Sequence, residues 1–528
     1  MFDFHCNTIC YALTSLIVCD RFYMTIPFTF NTRFRSIKKW MPLLLFIVAC
    51  CYLCYQQANG FWEFLRINWI SFRFPYPLDY GEGQLLDKVL LLSRLESIYT
   101  SHPGISGPPY AICNYPPVYP LIQVPFAWLF GPAMWYGRAI SILSILASAI
   151  FIGLTVHELT RNKFAGLIGG LTLLCFPYIT GFSMFVRVDS LALGFACAAL
   201  YTVVRWGGTL RGVVATAALL LASIYSKQSY GFVTPMAAFV WLYHEHSPRR
   251  AFELAALVAI PGLLLFGLIN VVTNGSFYFN LVSATISDFT LWNVLYYLKN
   301  MLLAIHPLLY IGAFFYCIIG IWDNHRPISW WLVAPFFIGS LVTAILIGKT
   351  GASWNYLFEH SVAFALIAGC LFDLPGKRKC ISGAIAFLLG LQIQIMIFWT
   401  KDFFLVPVQY KLDHRESIAR MAWLVHEAKG YVLADQYSGL IPLDNRMLYL
   451  MPWEFKNAVE SHIWSEQSFL VAIAKHEFGL FLIEDVPDGG FYIRFWTTEA
   501  LKSISEYYYI SEKIGNTLVY RPKSTTSR

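Results

Sequence analysis

The feature that most constrains this chain is a succession of long apolar runs separated by short clusters of Arg and Lys. A helix needs about 20 mostly apolar residues to cross a bilayer. Eleven segments qualify as candidates: Met41–Gln57, Trp135–Val156, Phe164–Phe185, Leu191–Trp206, Val213–Tyr225, Phe232–Tyr243, Phe252–Val272, Leu302–Trp322, Ile328–Ile347, Tyr356–Phe372 and Ile381–Trp399. Several are short, which predicts tilted helices or ends buried in protein. Val118–Phe130 is also apolar but carries Pro120 and Pro125, and reads as a helix lying at the interface. Only 13% of the residues are charged and 57% are hydrophobic; soluble domains carry about twice that charged fraction. The fold class is therefore an α-helical polytopic membrane protein of about 11 transmembrane helices.

The loops orient this bundle. Arg33, Arg35, Lys38 and Lys39 precede the first span, and alternate loops are basic thereafter: Arg161 and Lys163, Arg205 and Arg211, Arg249 and Arg250, Arg326, and Lys377 to Lys379. Positive loops stay in the cytoplasm. The N-terminus is then cytoplasmic, residues 37–400 form the transmembrane catalytic domain with a long first extracytoplasmic loop over 58–134, and eleven spans put residues 401–528 on the other side. The formal net charge of +7 is explained by these topological clusters and does not call for nucleic acid. Within residues 401–528, Arg415–Ala428 and Glu499–Tyr508 have helical periodicity, and Tyr431–Asp435 and Gly479–Ile483 read as strands. These elements predict a small extracytoplasmic α/β domain. Residues 1–36 form an N-terminal extension: Ile9–Cys19 is apolar but short, and Met24 or Met41 would serve as a natural start. Cys51 and Cys54 form a CxxC inside the first span, where small apolar side chains are the simpler reading.

Ionisable groups at membrane depth are costly and mark candidate sites. Four clusters fall on the extracytoplasmic face. Asp79-Tyr80-Gly81-Glu82-Gly83 offers two carboxylates for general-base work or for holding a cation, or else is simply a turn. Arg187-Val188-Asp189 stands at a helix start, where Asp189 can equally be a cap. Lys227-Gln228 runs against the positive-inside trend, and an anionic ligand such as a phosphate would explain it. The fourth cluster is Lys349 with Asn355, Tyr356 and Glu359. Asn355 and Glu359 share a helix face, and Glu359 lies inside an apolar segment. Asn114-Tyr115-Pro116-Pro117 turns the chain on the same side.

Taken together, these residues resemble the polytopic GT-C glycosyltransferases, within them the branch of aminoarabinose transferases and protein O-mannosyltransferases. The match rests on Asp79 to Gly83 with Ile98-Tyr99, Tyr115-Pro116-Pro117, Arg138-Ala139-Ile140-Ser141, Arg187-Val188-Asp189, Lys227-Gln228 and Asn355 to Glu359, in order, with Ile510 to Pro522 resembling final strands of the soluble domain. The resemblance implies a polyprenyl-phosphate-linked sugar donor, an extracytoplasmic acceptor (glycan, lipid or protein), inversion at the anomeric carbon, and a place in the plasma (inner) membrane. It implies a first-loop carboxylate as base and basic groups on the departing phosphate. Many relatives carry adjacent Asp-Glu where this chain has Gly81-Glu82, so the base is Glu82 or Asp79, with a slight preference for Glu82. Asp189 would orient a partner or, with Asp79 and Glu82, hold a divalent cation. Arg187, Lys227, Gln228, Lys349, Asn355, Tyr356, Glu359 and Tyr115 would bind substrate. The rival reading is a lipid-linked sugar flippase or a non-enzymatic assembly protein, which would move or hold a substrate without breaking a bond.

Overall fold

The computed structural model describes residues 32–100, 108–322, 326–376, 378–401, 405–485 and 495–523. The expected N-terminal extension up to residue 31 lies outside them. Among the described residues the chain is a multi-pass helical bundle, with seven helices long and apolar enough to cross a membrane. Two further predicted spans are bent pairs: Lys163–Leu173 with Pro177–Ser183 at 62°, and Leu291–Ile305 with Pro307–Trp322 at 96°. Each break sits just before a proline, which lacks the N–H that would continue the helix. The runs Val213–Tyr225 and Phe232–Tyr243 correspond to helices of only 17 and 13 residues, Leu210–Ser226 and Val233–Glu245, with Phe232 capping the second. By length and composition seven helices among the described residues qualify as crossings, or nine if each bent pair is one span, and these two shorter helices stand outside that count. Val118–Phe130 is a separate 13-residue helix, too short for a full span.

The first helix departs from expectation. It runs unbroken over Thr32–Arg73, 42 residues, where a loop was expected to begin at Ala58. At about 1.5 Å per residue it is some 60 Å long, about twice a hydrocarbon core. Its membrane part lies along Lys379–Trp399, where Gly390 permits contact with the Tyr52 ring: a methyl on Gly390 would come within 2.7 Å of it. Its far end is held by protein. Asn68 accepts from Ser183 Oγ at 2.9 Å, and Ile67 and Phe74 are buried in a core shared with Met421 and Leu424. Burial separates the other helices by role. In Trp354–Asp373, 94% of the apolar window is buried, whereas in Pro248–Val272 none is. The first is the centre of the bundle and the second presents its apolar surface to lipid.

The C-terminal domain begins with helices Val406–Asp413 and Arg415–Glu427. Its sheet has strands β1 (Tyr431–Ala434), β2 (Phe478–Glu484), β3 (Tyr508–Ile514) and β4 (Thr517–Pro522) in the order β1-β2-β4-β3. β1 and β2 are parallel, which needs the intervening helices as a crossover. β3 and β4 form an antiparallel hairpin whose turn uses Gly515 at φ +57°. This domain is not self-contained. Tyr110 and Ile112 of the first loop are buried in its aromatic core, with the Tyr110 ring 5.4 Å from those of both Tyr449 and Trp464.

Candidate active site

The polar clusters meet at the end of the bundle where the C-terminal domain packs. The segment after the first helix turns at Asp79, and helix Gly81–Ser93 follows. Glu82, in that helix's first turn, is fully buried. Its Oε1 accepts from Arg138 Nε and Val186 N, both at 2.9 Å. Its Oε2 accepts from Arg138 Nη2 at 2.8 Å and Leu78 N at 2.7 Å. Arg138 spends its remaining N–H groups on the carbonyls of Ser71 (2.8 Å), Phe74 (2.5 Å) and Tyr76 (2.7 Å). A guanidinium has five N–H donors, and all five are used here. Burial pushes the Glu82 carboxyl up, but the guanidinium and the backbone amides outweigh it and hold it below the usual carboxylate range. The lone pairs of Glu82, the expected first choice as base, are thus taken up inside the protein.

Asp79 is in the opposite condition. Its side chain is 21% exposed. Oδ2 accepts from Gly81 N at 3.0 Å and pairs closely with Arg187 Nη2, which leaves Oδ1 open. Arg187 comes from the extended residue before helix Val188–Trp206, and its Nε is buried without a hydrogen-bond partner. Gly81 explains how the two meet. A methyl on Gly81 would lie 2.9 Å from Arg187 Nη1 and 3.1 Å from its Cζ. The guanidinium occupies the space that an acid side chain at 81 would need.

The second half of the site is built on Asp189, two residues beyond Arg187 in the first turn of helix Val188–Trp206 and fully buried. Its Oδ1 pairs closely with Lys227 Nζ and accepts from Asn355 Nδ2 at 3.0 Å, while Oδ2 is buried without a partner. Lys227 caps Leu210–Ser226 at its C-terminus and stands 4.6 Å from the centre of the Tyr356 ring, a cation–π distance. Asn355 and Tyr356 belong to a short 3₁₀ turn, Trp354–Leu357, that leads into the central helix. They line a small pocket with Ser229, Tyr230 and Glu359. Glu359 accepts from Thr234 Oγ1 at 2.9 Å. Tyr115 joins the two halves: burial pushes its hydroxyl up to about 12, and Asp189, Arg187, Lys227 and Tyr356 all act on it electrostatically.

Two predicted residues stand further out. Gln228 is exposed, and its amide donates to the Asn114 carbonyl at 3.0 Å, so it fixes the Tyr115 turn from behind. Lys349 is half-buried and its ammonium pairs with no carboxylate among the described residues; partial burial lowers it below an ordinary lysine. Each acid proposed for a cation already has a partner of its own: Asp79 has Arg187, Glu82 has Arg138 and Asp189 has Lys227. Among the described residues no three His, Cys, Asp or Glu side chains converge as metal ligands do.

Sequence reasoning named Arg138 within a motif without giving it a role, and missed two other groups. The role of Arg138 was legible in principle, since it is an ionisable residue in the first turn of an apolar span. The buried pair Asp87–Lys88, 3.1 Å apart, fastens the first loop through the Ala111 carbonyl. Glu454, from the C-terminal domain, approaches Tyr80, and nothing in its local sequence signals that.

The comparisons with known proteins agree with this architecture. Two crystal structures of ArnT from Cupriavidus metallidurans are similar over most of the chain. The one bound to undecaprenyl phosphate has TM-score 0.57, 13% identity, and covers 89% of this chain and 98% of its own. The apo form has TM-score 0.56 at the same identity, covering 92% and 98%. The likeness is one of overall fold and extends over nearly the whole of ArnT. The archaeal oligosaccharyltransferase AglB from Archaeoglobus fulgidus, in complex with an inhibitory peptide and a dolichol-phosphate, is similar at TM-score 0.50 and 12% identity, covering 93% of this chain and 75% of that one. No protein-family profile and no curated protein matches the sequence. At such low identity the GT-C likeness is one of fold, and the chemistry has to be argued from the residues.

Proposed function

We propose that the chain is an inverting glycosyltransferase that moves a sugar from a polyprenyl-phosphate donor to an extracytoplasmic acceptor. The observation that carries this reading is a single partly open carboxylate, Asp79, held beside an array of cations at one end of a GT-C bundle. The bound undecaprenyl phosphate and dolichol-phosphate of the similar structures support the donor class. Asp79 Oδ1 takes the proton of an acceptor hydroxyl, and the acceptor oxygen attacks the anomeric carbon. The bond from that carbon to the phosphate oxygen breaks, and the electron pair leaves with the lipid phosphate. A phosphate leaves without prior protonation if cations meet its charge, which is an electrostatic role. Arg187, Lys227 and Lys349 fill that role; Asp189 and Asn355 hold Lys227 in place, and Tyr356 and Tyr115 line the donor site. Glu82 is assigned to holding the loop through Arg138.

Because each acid has its own cation, we assign the neutralisation of phosphate charge to these side chains and not to a divalent ion; chelation with EDTA should leave the rate unchanged. The alternation of basic loops supports a site outside the cytoplasm, and the family resemblance supports a place in the plasma membrane. The test uses full-length protein with undecaprenyl phosphate carrying a pentose or a hexose, and release of undecaprenyl phosphate is measured in the presence of envelope acceptors. Release that depends on acceptor, and that Asp79→Asn lowers at least a hundredfold, is the expected result. No release by the wild type with any of these probes would overturn the reading.

A further inference from the structure

The first turn of helix Pro452–Glu460 lies between the two halves of the site, although it belongs to the C-terminal domain. Trp453 packs on the loop that carries Lys349: a methyl on Gly351 would come 3.1 Å from its Nε1. The next residue, Glu454, reaches the first loop, where Tyr80 OH donates to its Oε1 at 3.5 Å. Tyr80 is fixed from the same domain, since Ser438 Oγ donates to its carbonyl at 2.9 Å and Phe495 stands edge-on to its ring at 5.4 Å. The domain therefore clamps the residue next to Asp79.

Within this clamp two polar atoms have no partner among the described residues. Glu454 Oε2 is buried without a hydrogen bond, and so is Arg187 Nε. Arg187 and Asp79 both act on Glu454, the guanidinium favouring its charged form and the carboxylate opposing it; burial outweighs both and pushes the carboxyl up to about 7. An acid in the first turn of a helix is ordinary, because it faces the positive end of the dipole. That accounts for the residue type but not for a buried oxygen left unbonded beside a reacting carboxylate, which costs free energy unless a ligand satisfies it. A hydroxyl can donate to one group and accept from another, so a hydroxyl-rich ligand matches a clamp that holds both an unmet acceptor and an unmet N–H.

We propose that Glu454 is an acceptor-recognising residue: its Oε2 receives a hydrogen bond from an acceptor hydroxyl neighbouring the one that Asp79 deprotonates, so the C-terminal domain selects a polyhydroxylated, sugar-like acceptor. This rests on the transferase reading above. The test compares wild type, Glu454→Gln and Glu454→Asp in the full-length protein, with undecaprenyl-phosphate-linked pentose or hexose and a purified envelope oligosaccharide. Glu454→Gln should raise the acceptor KM at least tenfold and leave the donor KM within twofold, and Glu454→Asp should recover part of the loss. An unchanged acceptor KM, or a shift in the donor KM instead, overturns the assignment while the transferase reading stands. Absence of transfer by the wild type overturns that reading and this assignment together. A Tm for Glu454→Gln close to that of the wild type separates recognition from misfolding.

Discussion

Glu82 and Asp79 lie three positions apart, and each meets an arginine from a distant part of the chain, yet the two pairs behave differently. Glu82 with Arg138 is fully buried on both sides, and every N–H of the guanidinium is used. Asp79 with Arg187 is partly open, and an orphaned nitrogen remains on the arginine. A closed pair can only hold structure, since any substrate group would have to displace a bond already made. An open pair can exchange partners. Two acids of one motif therefore take different work, decided by whether solvent and substrate can reach them and not by residue type.

The largest effect should come from breaking the closed pair on one side. Arg138→Ala leaves a buried carboxylate unpaired, a change that costs about 3–5 kcal/mol; thermal melting of the detergent-solubilised protein should show a loss of folded protein or a large fall in Tm. An unaltered Tm would mean that Glu82 is not structural. Asp79→Asn should do the reverse. Its Tm should stay close to the wild type while transfer drops at least a hundredfold, about 2.7 kcal/mol at 1.36 kcal/mol per decade. If Glu82→Gln rather than Asp79→Asn abolishes turnover in a protein that still melts normally, the two roles are the wrong way round.

Smaller changes sharpen the contrast. Gly81→Ala adds a methyl within 3.1 Å of the guanidinium carbon of Arg187. Crowding of this kind costs about 1–3 kcal/mol, and it should appear as a roughly tenfold loss of transfer with little change in undecaprenyl phosphate binding. Normal transfer by Gly81→Ala would show that the Asp79–Arg187 geometry does not matter. The smallest effect concerns pH. The Glu454 carboxyl is raised to about 7 in the folded protein, so the stability gained by keeping it neutral is complete below about pH 4.5, the usual glutamate range. It is lost as pH rises through 7. The Tm of the wild type should therefore fall between pH 6 and 8 relative to Glu454→Gln, which has no proton to lose there; parallel curves would place the titration elsewhere.

Much of the site was legible before the fold was known. Asp79, Arg187, Asp189, Lys227 and Asn355 stand out because charged or polar groups at the ends of apolar runs have a high desolvation cost, and the sequence displays that cost directly. Contact between Asp189, Lys227 and Asn355 then follows once their helices pack, since all three stand at helix ends. Arg138 could have been found by the same test. Glu454 could not, because a glutamate in a soluble-looking helix is unremarkable until the domain is docked. Hydropathy likewise registers apolar runs but not where Pro177 and Pro307 break them, nor that the first helix continues to Arg73 under the cover of the C-terminal domain.

The sequence by itself determined that this is a helical membrane protein with its polar groups at the ends of its spans, because an apolar run of about 20 residues satisfies its own backbone hydrogen bonds in lipid as a helix. It also determined the set of acids and cations from which a site could be made. Only the tertiary structure decided which acid is sealed and which is open. That choice depends on the route of one arginine side chain, from Arg138 into a nest of carbonyls, and on the space left by one missing side chain at Gly81. Both are matters of packing between elements far apart in the chain, and neither leaves a trace in local composition.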